Sequence, residues 1–253
     1  MPRFARYIGI DYSGAGTSAE RLSGLRVFVA LGDAPPREQR DAKGRRWSRA
    51  SLAQWLEARL REDASPTVIG IDHALSFPIT YFLHHRLPLA WDAFLEDFCR
   101  HWPADQDGVT VEQLRCDNPR RGEARWRRLT DVRARAKSVF HFDIQGSVAK
   151  STHSGLPWLR RLRRALGSAL HVWPFDGWLP PRGVHVIAEA YPSLWREQWP
   201  RGDRSPDQHD AFAIAAWLQQ ADRSCQLDAY FMPSLSEADR RTAALEGWIL
   251  GIR

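Results

Sequence analysis

Residues 7–11 read Tyr-Ile-Gly-Ile-Asp, and residues 67–72 read Thr-Val-Ile-Gly-Ile-Asp. Both are short apolar runs of the kind buried on two sides of a sheet, and both finish on an aspartate. The first stops in a glycine turn, Ser13-Gly14-Ala15-Gly16, and the second runs on to Ser76-Phe77-Pro78. A buried strand that ends by carrying a carboxylate to its C-terminal edge spends stability unless that charge meets a partner. In open α/β sheets that edge is where ligands bind, so the two Gly-Ile-Asp segments set an α/β reading in which each strand delivers an aspartate, Asp11 or Asp72, to its C-terminal end.

Outward from these strands, Leu25–Leu31 reads as a second strand, hairpinned to the first through the polar stretch 17–24. From Ser48 or Ser51 to Arg61, the recurrence of Leu52, Trp55, Leu56 and Leu60 predicts an amphipathic helix. Trp91, Phe94, Leu95 and Phe98 mark another, and Pro157–Leu166 a third. Leu170–Trp173 reads as an edge strand and Val184–Tyr191 as a strong one. The last clear element is a helix with a complete start signal: Ser205 as N-cap, Pro206 at the first helical position and Gln208 three residues after the cap. Its apolar face is predicted as Ala211, Phe212, Ala215 and Leu218.

The chain of 253 residues can bury a core without disulfides, and reads as a single domain with a helical, arginine-rich insertion at about 79–150. With 43% hydrophobic and 26% charged residues, it is neither disordered nor fibrous. Cys99, Cys116 and Cys225 lie too far apart for a zinc ribbon or a disulfide framework. No apolar run approaches the roughly 18 residues of a membrane span, and no signal peptide precedes the first strand, so a cytoplasmic protein is expected. The net charge of +6 is arginine charge, since lysine occurs only at positions 43, 137 and 150. Guanidinium groups pair bidentately with phosphate, which favours a polyanionic partner; a solvated surface is the competing explanation.

Five acids occupy strand ends or the first turn of the capped helix: Asp11, Asp72, Glu189, Asp207 and Asp210. If the strands are neighbours, the first three converge, and like charges held together require cations or raised pKa values. Asp207 and Asp210 share a helix face and can complete the site. Asp207 equally suits the helix dipole, and Glu189, beside Tyr191-Pro192, equally suits a loop-orienting role. All-oxygen ligands point to Mg²⁺ or Mn²⁺. The histidines show no zinc spacing; His209, between the helix aspartates, is a candidate proton shuttle. Ser13 lies in a turn that could present N–H groups to phosphate. Arg115 to Lys137, interleaved with Trp126, and the run Arg160, Arg161, Arg163 and Arg164 are candidate lips of a backbone-tracking groove, or else charged helical faces.

The order of Ile8-Gly9-Ile10-Asp11, Val68-Ile69-Gly70-Ile71-Asp72, Gln145-Gly146-Ser147-Val148, Leu156-Pro157-Trp158-Leu159, Val172-Trp173-Pro174-Phe175-Asp176, Glu189-Ala190-Tyr191-Pro192-Ser193, Asp207-x-x-Asp210-Ala211 and Glu246-Gly247-Trp248-Ile249 resembles the domain-of-unknown-function 429 family, described as predicted RNase H-like nucleases. The resemblance implies an RNase H-like mixed sheet of five strands flanked by helices. It places Asp11 on the first strand, Asp72 on the fourth and Asp210 on the last helix.

The leading expectation is therefore a metal-dependent nuclease in which Asp11, Asp72 and Asp210 are catalytic, acting on DNA or RNA. A phosphotransferase of the actin-like or sugar-kinase type is the second expectation, although it predicts a duplicated domain with a second glycine-rich loop, and no duplication is visible. A non-catalytic nucleic-acid-binding module is the third.

Overall fold

The computed structural model describes residues 2–253. β1 (Arg6–Asp11) and β2 (Arg26–Leu31) pair antiparallel, with Asp11 opposite Arg26, and β3 (Arg37–Glu38) adds to β2. On the other side of β1, β4 (Thr67–Ile71) runs parallel, with Gly9 beside Gly70 and Ile10 beside Ile71. β5 (Leu170–Val172) and β6 (His185–Glu189) complete a mixed sheet in the order β3-β2-β1-β4-β6-β5. The described residues thus form six strands where five were expected. The two residues of β3, Arg37 and Glu38, have no apolar alternation of their own, so only their pairing with β2 makes them a strand.

Side-chain alternation divides the molecule into two cores. Ile8, Ile10, Ile69, Ile71 and Ile187 face α1 (Arg49–Glu62) and α6 (Ala149–Leu166). That core continues into an aromatic cluster contributed by α2 (Ile79–His84) and α3 (Trp91–His101), in which Phe77 meets Tyr81, Phe94 and Phe98. The predicted insertion also carries α4 (Val111–Arg115) and α5 (Leu129–Ala134), so it is helical as expected and its aromatic residues belong to the main core. α6 begins eight residues earlier than Pro157, which sits inside it. The early half, Ala149 to Leu156, is polar in sequence, yet it is buried apart from Lys150, and packing overrides its weak pattern.

The opposite face is covered by α7 (Pro206–Arg223), α8 (Leu227–Phe231) and α9 (Glu237–Glu246). α7 is therefore not the last helix. Its N-terminus forms the anticipated capping box: the Gln208 N–H donates to Ser205 Oγ at 3.2 Å and the Ser205 N–H donates to Gln208 Oε1 at 2.9 Å. Ala211, Ile214, Ala215 and Leu218 meet the sheet, with Ile214 in the place expected for Phe212. The far end is pinned by Asp222, whose carboxylate accepts from the N–H groups of Arg3 and Phe4 and from the Tyr7 hydroxyl.

α7 lies close because β1 and β4 present Gly9 and Gly70, which carry no side chains, beneath its residues 211–218. A Cβ on Gly9 would fall 2.1 Å from the Ala211 carbonyl oxygen, and one on Gly70 would fall 2.4 Å from Ile214 Cγ2. The paired glycines thus form a smooth strip under the helix, and the next residue on the same face of each strand is Asp11 or Asp72.

Candidate functional site

The parallel ladder continues one step past β4, since the Asp72 N–H donates to the Ile10 carbonyl at 2.9 Å. Asp11 and Asp72 consequently sit on adjacent strands and, by parity with Gly9 and Gly70, both face α7. The N-terminal end of α7 brings Asp207, in its first turn, and Asp210, just beyond it, near the same edge. Asp207 Oδ2 lies 3.7 Å and Ser13 Oγ 3.6 Å from where a Cβ on Gly24 would stand, so the bare glycine leaves room between the helix start and the turn after β1.

These acids feel one another. Burial pushes the Asp11 carboxyl well above the usual range, and Asp72, Asp207 and Asp210 push it further, while Arg26 across the β1–β2 pair opposes them. Burial, then Asp210 and Glu189, push Asp72 up to about 8 against the pull of Arg196. Asp210 is also raised by burial, with Arg196 and His209 opposing; Arg196 Nη1 stands 3.6 Å from Asp210 Oδ2. Among the described residues, no three histidine, cysteine, aspartate or glutamate side chains close into a ready coordination sphere. The acids share an electrostatic neighbourhood without forming a metal cage.

Glu189 does not join them. It is in register with Ile71, so it points to the opposite face of the sheet. There Arg128 Nη1 and Nη2 donate to its two carboxylate oxygens, both at 2.6 Å. Arg128 also binds Asp131 from Nη2 at 2.7 Å, and both partners are almost wholly enclosed. Burial raises the Glu189 carboxyl, and Arg128 opposes this with its charge and its hydrogen bonds. Glu246 completes the network by accepting from the N–H groups of Ile79 and Leu129, both at 2.7 Å. This buried network fastens α5, β6 and the end of α9 together, and its geometry commits Glu189 to holding the fold.

Other candidates are also accounted for. His209 Nε2 donates to the Arg196 carbonyl at 2.9 Å and Nδ1 accepts from Arg204 Nε at 3.4 Å, so the ring is tied to the loop before α7. The carbonyls of Ser13, Ala15 and Gly16 accept from Arg49, which turns the glycine loop toward α1. The arginine-rich segment is largely internally paired: Arg115 with Asp143, Arg120 with Asp97, Arg125 with Glu123, Arg133 with Asp239. Arg160 and Arg164 share Glu96, Arg161 meets Glu57, and Arg163 meets Asp92 and Asp176. The second predicted lip is thus an ion-pair surface, whereas in the first Arg121, Arg127, Arg135 and Lys137 form no ion pair among the described residues.

The guanidinium groups nearest the acids are ones the sequence did not single out. Arg26 is placed by strand register, and Arg196 by the turn after β6. Beside Asp210 opens a cleft of about 720 Å³ lined by Arg196, Trp199, Arg201 and His209. No protein-family model matches the chain, and neither the curated proteins nor the solved structures provide a relative. No helix among the described residues is long and apolar enough to cross a membrane.

Proposed function

We propose that this protein is a metal-dependent phosphodiesterase of RNase H-like type that acts on nucleic acid. The reading is carried by one observation: Asp11, Asp72 and Asp210 stand at the C-terminal edge of two adjacent parallel strands, close enough for their charges to oppose one another. The sheet order supports it, with β1, β2 and β3 antiparallel, and β4 and β6 parallel to β1 on its other side. β5 forms the far edge of the sheet.

The donor set fits Mg²⁺ or Mn²⁺, which bind through one or two carboxylates and keep several waters, so a closed protein cage is not required. Asp11 and Asp72 would hold the ion, with Asp210 and Asp207 at its helix side. A divalent ion in that position supplies positive charge to a phosphoryl oxygen. Arg196 and Arg201 would hold the phosphate backbone in the adjoining cleft, and Trp199 offers a face on which a base can stack.

The test is Mn²⁺-dependent cleavage of end-labelled single- and double-stranded DNA and RNA by the wild type and Asp11→Asn. Cleavage by the wild type and its loss in a folded Asp11→Asn support the reading. Equal cleavage by both proteins, or none on any of the four substrates, defeats it.

A further inference from the structure

On the other face of the sheet from the acids, behind Asp11, lies a narrow cavity of about 20 Å³ between α1, α6 and the ends of β1, β4 and β6. Its apolar wall comes from leucine and isoleucine side chains, but Tyr12, Arg49, His73 and Trp158 also line it. Arg49 and His73 are each 1% exposed, Trp158 6% and Tyr12 8%, so all four are withdrawn from solvent. Three of their polar atoms, Tyr12 Oη, Arg49 Nε and Trp158 Nε1, have no hydrogen-bond partner in the protein.

Orphaned buried polar groups are uncommon and costly, because each forfeits its hydration without replacement. Here two of the three can only donate and the third is a hydroxyl able to donate. The cavity also holds a guanidinium that no carboxylate contacts, with Glu20 acting on it only from a distance. Arg49 spends Nη1 and Nη2 on the neutral carbonyls of Ser13, Ala15 and Gly16, and forms no ion pair with a carboxylate among the described residues. His73 cannot balance it: its Nδ1–H donates to the Ala74 carbonyl, and burial holds the ring neutral by pushing its pKa down to about 4.

A volume of about 20 Å³ modestly exceeds the roughly 10–15 Å³ needed for one water, so the ligand is a single atom or little more. We propose that this cavity is a binding site for one small monovalent anion of halide size, held by Arg49 Nε, Trp158 Nε1 and Tyr12 Oη. The anion neutralises the buried guanidinium and satisfies all three donors together. It thereby ties α1 and α6 to the turn that follows Asp11, placing an anion-dependent brace behind the acidic edge. The site does not depend on the assigned activity.

The test uses protein dialysed into sodium gluconate, whose anion is too large for the cavity, and titrated with sodium chloride or bromide at constant ionic strength. The expected result is a saturable rise in Tm of about 2–4 °C with either halide. Trp158→Phe and Tyr12→Phe, each of which leaves an aromatic ring in place and removes one donor, are expected to raise the half-saturating halide concentration several-fold. A bromide-soaked crystal should show its anomalous peak between α1 and α6. Equal Tm in halide and gluconate overturns the proposal, since a water held by the same donors gives no halide response. So does a halide response in the Trp158→Phe/Tyr12→Phe double variant equal to that of the wild type, or a bromide-soaked crystal without a peak in the cavity.

Discussion

Arg128 and Glu189 face each other across the end of β6 as a bidentate pair, with both N–H···O distances at 2.6 Å and almost no exposure to solvent. A guanidinium so enclosed is held only by its carboxylates; burial works against its charge, and Asp131 and Glu189 more than restore it. Removing one partner strands the other. Arg128→Met should therefore destabilise the fold by about 3–5 kcal/mol, measured by urea denaturation. Glu189→Gln should lose much of the same stability while leaving any Mn²⁺-induced shift in Tm unchanged. If Glu189→Gln kept full stability and lost the metal response instead, Glu189 would belong with the acids after all.

The two sides of the sheet explain why sequence alone grouped Glu189 with Asp11 and Asp72. All three end apolar strands, and nothing in a single strand tells which face its last residue takes. Register decides it: Glu189 aligns with Ile71, one residue out of phase with Asp72. Five of the six strands, the aspartates that end β1 and follow β4, and the capping box of α7 were legible because they rest on local pattern. Arg128 was not, being one arginine in a run whose neighbours lie on the surface; only Asp131 three residues on hints at a pair. Arg196 and Arg26 acquire meaning through tertiary placement, and the aromatic core around Phe77 draws its members from segments far apart in sequence.

Asp72 should make stability depend on pH and on metal in opposite ways. Its carboxyl is pushed up to about 8, so in the folded protein it retains a proton that the unfolded chain releases near its ordinary value. Between those two values the native state binds more protons, and stability falls as pH rises, levelling off above about 8. Asp72→Asn removes this dependence and should exceed the wild type at pH 8.5 without metal by on the order of 2 kcal/mol. Mg²⁺ should narrow the gap by stabilising only the wild type. Urea titrations at pH 6.5 and 8.5 decide it; the same difference between the two proteins at both values would show that Asp72 carries no such proton.

His153 governs the acid side. Burial among Trp102, Phe142 and Phe77 pushes its pKa down to about 3, although its Nδ1–H donates to the Ala149 carbonyl. The folded ring stays neutral where the unfolded one charges, so stability present above about 6.5 is lost as pH falls toward 3. Each such histidine contributes a slope of about 1.4 kcal/mol per pH unit. His153→Phe keeps an aromatic ring in the cluster and should reduce the slope between pH 6 and 4 by about one proton. His73, depressed to about 4, and His85, His171 and His185, each lowered by burial, should supply the slope that remains. An unaltered slope in the variant would place the acid sensitivity elsewhere.

Gly9 tests whether the approach of α7 positions the acids. Its backbone is not in a conformation reserved for glycine, so Gly9→Ala meets only a steric obstacle, but that obstacle is main chain: the Ala211 carbonyl at 2.1 Å and the Ala215 N–H nitrogen at 2.6 Å from the new methyl. Neither can rotate aside as a side-chain tip would, so the helix must shift away from the sheet. Overpacking of this kind costs about 1–3 kcal/mol. Asp210 rides on the N-terminal end of the same helix, whereas Asp11 and Asp72 stay with the strands, so the shift separates the acids. Gly9→Ala should therefore weaken Mn²⁺-induced stabilisation more than a control of equal thermal cost at the far end of the helix, such as Ala221→Gly. A metal response falling equally in both would mean that helix proximity matters only to stability.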